Sequence, residues 1–102
     1  MAEPEQAPDA TVPVCVVQEV EIPNPQGIHA RPATLIARTA APFKSQVTLR
    51  RNDASANAKS TIQVLTLAAE QGAKVTVQAC GEDAQQAVEA LVALVRRGFD
   101  EM

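Results

Sequence analysis

From residue 14 onward the apolar residues switch repeatedly between a two-residue and a 3.6-residue period, and that switching decides which folds are open to the chain. Val14–Ile22 (VCVVQEVEI) is rich in Val, alternates in its second half and predicts a strand. Pro23-Asn24-Pro25-Gln26-Gly27 ends it as a loop. Pro32 falls where a helix starts, because its missing N–H costs nothing in a first turn. Ala33, Ile36, Ala37 and Ala40 then recur at helical spacing until Pro42 stops the run. Gln46–Arg51 (QVTLRR) alternates as a short strand, Asn52-Asp53 signals a turn, and Ala54–Ala58 reads as a weak return strand. Ser60-Thr61-Ile62-Gln63 has the S-x-x-Q form of a capping box, which predicts a short helix from Ser60 to near Leu67–Ala69. Lys74–Cys80 (KVTVQAC) alternates cleanly as a strand. Asp83, with Gln86 three residues on, is the expected N-cap of the strongest helix, whose stripe is Ala84, Ala87, Val88, Leu91, Leu94 and Val95. Arg96 and Arg97 in its last turn suit the helix dipole.

The expected order is therefore β-α-β-β-α-β-α. Short strands joined by a tight turn favour an antiparallel sheet with helices on one face, an α+β layer fold. With no Trp, no Tyr and two Phe (Phe43 and Phe99), the core must be aliphatic, built from Val, Leu, Ile and Ala. A chain of 102 residues can bury roughly 60–70% of its unfolded surface, enough to fold without staples but with little room for a deep substrate cavity. Residues 1–13 differ: Pro4, Pro8 and Pro13, three Ala and the acids Glu3, Glu5 and Asp9 stand there with no base, as in a disordered tail or linker. The remaining 14–102 form the expected folded domain. It holds nine bases and nine acids, so the formal charge of −3 belongs to the tail.

These counts exclude several functions. One histidine and two cysteines cannot make a multi-histidine or four-thiolate metal site. So few aromatics give no stacking platform for single-stranded nucleic acid, and the acidic balance argues against a phosphate-backbone binder. No stretch approaches the roughly 20 apolar residues that span a membrane, and the N-terminus lacks the basic and apolar regions of a signal peptide. A cytoplasmic protein is expected, with Cys15 and Cys80 as two buried thiols; a disulfide or redox pair is the alternative.

The informative stretch is Gly27-Ile28-His29-Ala30-Arg31-Pro32-Ala33. His29 lies just before a helix whose first N–H groups have no intrahelical acceptor, beside a ready-made anion site. Arg31 adds a planar, permanently charged fork that suits phosphate, and Gly27 lets the chain turn tightly into the site. A positive helix end disfavours imidazolium, so it favours the neutral, nucleophilic ring. It also stabilises an attached anion by about 0.3–1 kcal/mol. The stretch holds no acidic residue to repel one. A lone histidine ahead of a helix is usually a loop or capping residue. A catalytic triad is disfavoured because no G-x-S-x-G elbow is present.

The signature G-I-H-A-R-P-A resembles the active site of the histidine-containing phosphocarrier (HPr) family of the bacterial phosphoenolpyruvate:sugar phosphotransferase system. The similarity continues through Ala58-Lys59-Ser60 and its short helix, Gln71-Gly72-Ala73-Lys74-Val75-Thr76-Val77, and Gly81-Glu82-Asp83-Ala84, covering roughly residues 17–96. It implies an open-faced sandwich: a four-stranded antiparallel sheet with three helices on one face. It further implies that His29 accepts a phosphoryl group on Nδ1 from phospho-enzyme I and passes it to enzyme IIA units of sugar transporters. On this reading Arg31 contacts the phosphate, the N–H groups of Ala30 and Arg31 help from the helix start, and Pro32 shapes that start. An ordinary imidazole titrates near ~6.5, so a useful fraction is neutral at cell pH. The resemblance implies a carrier with a phosphohistidine intermediate rather than a free-standing enzyme, a monomer, no metal and no small cofactor.

Ser60 aligns with a serine phosphorylated by a dedicated kinase in some lineages, and its simple alternative is a helix N-cap. A serine kinase or a transcriptional regulator would then join the partners. Arg38, Ile62 and Leu65 are the expected partner surface, with core packing the alternative for Ile62 and Leu65. Thr61 stands where the family often has an apolar residue, and Ala41 and Gln63 where it often has lysine, which leaves the basic rim to Arg31 and Arg38. Two alternatives stay open within the family: a nitrogen-type phosphocarrier, or a carrier domain of a multidomain phosphotransferase protein, favoured by the Ala/Pro/acid tail. An alternative of another class is a regulatory docking module that carries no phosphate, against which His29 and Arg31 argue.

Overall fold

A computed structural model describes residues 14–102, so the expected tail at 1–13 lies outside the described residues. The elements are β1 (Cys15–Glu21), α1 (Ala30–Ala40), β2 (Gln46–Arg51), β3 (Ala54–Asn57), α2 (Thr61–Thr66), β4 (Lys74–Cys80) and α3 (Ala84–Arg96). The four strands form one antiparallel sheet in the order β1-β4-β2-β3, with β4 inserted between the first two strands. Every strand obeys its period. Val20, Val47, Leu49, Ala56, Val75, Val77 and Ala79 point inward and are buried, while Glu19, Gln46 and Lys74 stay on the open face. The three helices cover the inward face, α3 against β1, β4 and β2, and α1 against α2 and α3.

The helical stripes contain every residue the spacing predicts, with Pro32 and Val92 added. α1 buries Pro32, Ala33, Ile36, Ala37 and Ala40; α3 buries Ala84, Ala87, Val88, Leu91, Val92, Leu94 and Val95. Each fully buried Val, Leu or Ile contributes about 1.5–3 kcal/mol. The alanines let the helices approach the sheet closely. Phe99 is the largest fully buried side chain, and it comes from the short 3-10 turn Gly98–Asp100 after α3 rather than from one of the three α-helices or a strand.

Three local expectations are corrected. Cys15 and Cys80 are not buried thiols: they form a disulfide. They are directly opposite in the β1–β4 register, Cα atoms 4.0 Å apart, and fall on the phase of the alternation that faces away from the helices. Asp83 does not cap α3 with its side chain. Its carboxylate accepts hydrogen bonds from the backbone N–H groups of Lys44 (2.8 Å) and Ser45 (2.9 Å) and from the Ser45 hydroxyl, tying the α1–β2 connection to the start of α3. The capping box is half made. Ser60 Oγ accepts the Gln63 N–H at 3.2 Å, but Gln63 Oε1 accepts the Asn57 N–H instead of that of Ser60.

Candidate phosphoryl-acceptor site

His29 is the N-cap of α1, with φ −90° and ψ −166°. Its carbonyl accepts the Ala33 N–H at 3.0 Å, closing the first turn. The N–H groups of Ala30 and Arg31 precede that bond and have no intrahelical acceptor. Pro32, the third helical residue, is buried and has no N–H to satisfy.

The loop that delivers His29 is held from several sides. Gly27 has φ +66°, and a side chain there would run into the Ala69 carbonyl and the Glu70 backbone. Ile28, buried, donates its N–H to the Ala69 carbonyl at 2.8 Å, which fixes the loop to the segment after α2. Arg51 braces that segment in turn, donating to the carbonyls of Leu67 (3.1 Å) and Ala68 (2.9 Å). Ala68 has φ +50°, a left-handed conformation that these bonds help to hold.

Two residues that sequence reasoning missed complete the site. Glu101 places both carboxylate oxygens on His29 Nε2, at 3.2 and 3.1 Å. Asn24, fully buried, donates from Nδ2 to the Gly27 carbonyl at 2.8 Å and to Glu101 Oε1 at 2.9 Å. Both partners of Nδ2 are acceptors, so the amide orientation follows from the network. Asn24 Oδ1 is buried without a partner among the described residues, at a cost of about 1–3 kcal/mol. Asn24 is thus held for what its amide N–H groups do. Hydrogen bonding from His29 holds the Glu101 carboxyl below its ordinary pKa against the opposing effect of burial, with smaller help from the Asn24 hydrogen bond and from the electrostatics of His29 and Arg31. The stretch around His29 lacks an acid in sequence, yet folding brings one to it from the C-terminal end.

Glu101 arrives by a left-handed turn. Gly98, Phe99 and Asp100 have φ of 68°, 58° and 61°. For non-glycine residues this conformation costs roughly 1–2 kcal/mol each. Burial of Phe99 anchors the turn, and Arg97 Nε donates to Asp100 Oδ1 at 2.9 Å. The available signal was one of only two phenylalanines directly after a helix, followed by two acids.

Of the other residues singled out, Arg31 and Arg38 lie seven positions apart on α1, on the same helical side and exposed. Arg31 has no ion-pair partner among the described residues. Ile62 and Leu65, on α2, are not core residues: they are 76% and 37% exposed. Ser60 is half-buried at the N-cap of α2. α1 and α2 pack against each other, so the two exposed helical faces belong to adjacent elements. The His29 side chain is 35% exposed, open to a docking protein rather than sunk in a pocket.

The fold is an open-faced sandwich that presents a half-buried histidine at a helix N-cap. The family described as the PTS HPr component phosphorylation site matches residues 16–97, and the chain belongs to that HPr family. It is 46% identical over 78 residues to phosphocarrier protein HPr of Haemophilus influenzae, covering 76% of this chain and 92% of that one. It is 41% identical over 85 residues to phosphocarrier protein NPr of Proteus mirabilis, covering 82% and 94%. Among solved structures, HPr-C-His from Thermoanaerobacter tengcongensis superposes with a TM-score of 0.82 at 38% identity, covering 85% of this chain and 98% of the other. The four-stranded sheet and three helices are those of HPr structures, and the chain is an HPr phosphocarrier of the phosphotransferase system. Its partners are proteins of that system. Among the described residues no helix is long and apolar enough to cross a membrane.

Proposed function

We propose that His29 is the phosphoryl-carrying residue, charged on Nδ1 by phospho-enzyme I and discharged to the enzyme IIA unit of a sugar transporter. The observation that carries this reading is the placement of His29 at the N-cap of α1, with its ring hydrogen bonds confined to Nε2 among the described residues. In the charging step the Nδ1 lone pair attacks phosphorus. The donor N–P bond breaks, its electron pair stays on the donor nitrogen, and a new Nδ1–P bond forms. Such transfer needs mainly positioning and charge stabilisation. The N–H groups of Ala30 and Arg31, the α1 dipole and the Arg31 guanidinium supply that stabilisation. Pro32 sets the first turn from which they act.

Arg31, Arg38, Ile62 and Leu65 form the docking face in this reading, an apolar patch with a basic rim that suits acidic partner surfaces. Ser60 is the regulatory position. A phosphate there adds about −1.5 to −2 charges at the start of α2, tolerated by the helix end but adverse to an acidic partner. The carrier works as a cytoplasmic monomer.

A relay assay tests the proposal. The chain is charged with enzyme I and phosphoenolpyruvate, separated, and mixed with an isolated enzyme IIA domain. The expected result is loss of one acid-labile phosphate from the chain and its gain by the acceptor. A charged chain that fails to discharge to any enzyme IIA domain would contradict the sugar-transport role. Preferential charging by a nitrogen-type enzyme I would support the second reading, to which the similarity to NPr points.

A further inference from the structure

We propose that Glu101, held by Asn24, is a positioning residue that keeps the proton on Nε2 of His29 in both the empty and the phosphorylated carrier. The proposal rests on His29 being the carrier for its second half only. The contact of both Glu101 oxygens with Nε2 carries it. An ionised carboxylate only accepts hydrogen bonds, so Nε2 must be the donor. In the neutral ring this places the free lone pair on Nδ1.

The arrangement is built rather than incidental. Asn24 is buried beneath the site and engages Glu101 Oε1 and the Gly27 carbonyl with one amide. The left-handed turn at Gly98–Asp100, pinned by buried Phe99, fixes where Glu101 leaves the core. The charged and titratable groups around the ring come from three segments. Arg31 stands in the first turn of α1, near enough to act on Glu101. Glu70 follows α2, its backbone against Gly27 and its side chain exposed. Arg97 and Asp100, beside Glu101, pair with each other. α2 itself (TIQVLT) carries no charge. The depressed pKa of Glu101 agrees with a carboxylate that stays ionised against the ring.

The chemical consequence falls on discharge. With Nε2 protonated, the phosphorylated ring is an imidazolium. When the acceptor attacks phosphorus, the Nδ1–P bond breaks, its electron pair returns to Nδ1, and the ring leaves as neutral imidazole with its Nε2–H intact. No proton moves in that step. If Nε2 has lost its proton, the same bond cleavage must expel an imidazolate anion, a far poorer leaving group. Glu101 therefore extends towards higher pH the range in which the carrier can be discharged.

The test compares wild type, Glu101→Gln and Glu101→Asp in two measurements. In 15N-edited NMR of the unphosphorylated chain, wild type should show a protected Nε2–H, and Glu101→Gln should exchange it at least about tenfold faster, as loss of a charge-assisted bond implies. In the charged chain, the pH at which discharge to enzyme IIA falls to half should drop by about 0.5–1 unit in Glu101→Gln. Glu101→Asp should recover part of both. Equal exchange rates and equal pH profiles in folded wild type and Glu101→Gln would overturn the proposal. If wild type takes up no phosphoryl group, the carrier reading fails, and the NMR comparison still decides the role of Glu101.

Discussion

Buried or half-buried polar residues here act as clips between segments distant in sequence. Asp83 is the clearest case outside the site. Its bond from the Ser45 hydroxyl, followed by the N–H groups of Lys44 and Ser45, holds its pKa below the ordinary carboxylate value. A carboxyl whose folded pKa is depressed contributes stability that is present above its unfolded pKa of about 3.9 and lost as pH falls through the lower folded value. Asp83→Asn should therefore be less stable than wild type at pH 7, and the difference should shrink below about pH 4. Urea titrations across that range check this. Sequence reasoning chose the right residue and the wrong role. Asp before a helix is a common cap, but Ser45 is almost fully buried and its polar groups need an acceptor. Asn24 and Glu101 were invisible for the same reason: neither belongs to a local pattern, and their partnership spans 77 positions.

At the scale of elements, apolar period was a sufficient guide. β1 through α3 appear where the alternation and the helical stripes put them, because each element buries one face against the same core. Local spacing was silent on the segment after α3, where three successive residues turn left-handed. That conformation is held by the tertiary burial of Phe99, which no periodicity encodes. Phe99→Ala should cost about 3–5 kcal/mol of stability, as measured by chemical denaturation. It should also loosen the contact between Glu101 and His29. Unchanged stability would remove Phe99 as the anchor of that turn. The cysteines teach a related lesson. Both cysteines have apolar neighbours, Val14 and Val16 for Cys15 and Ala79 for Cys80, yet the phase of the two-residue period, set by Val20 and Val77, turns Cys15 and Cys80 to the open face.

Over the whole molecule, the histidine and the disulfide lie at opposite ends of β1. Cys15 opens that strand and the loop leading to His29 follows its other end. The disulfide closes a loop across a sequence separation of 65 and ties the edge strand to β4. Chain-entropy arithmetic puts its stabilisation at about 4 kcal/mol. Reduction, or Cys15→Ser with Cys80→Ser, should lower the unfolding midpoint accordingly while leaving phosphoryl uptake unchanged. A midpoint insensitive to reductant would show that the bond adds nothing to stability.

The net charge of −3 says little about function. The domain from residue 14 is neutral, and what matters is which charges converge on one ring. That a single histidine carries the activity is the central claim, and intact-mass measurement after incubation with enzyme I and phosphoenolpyruvate tests it most directly. The account predicts a gain of one acid-labile phosphate in wild type and none in His29→Ala. No gain in wild type, or an equal gain in His29→Ala, would contradict it.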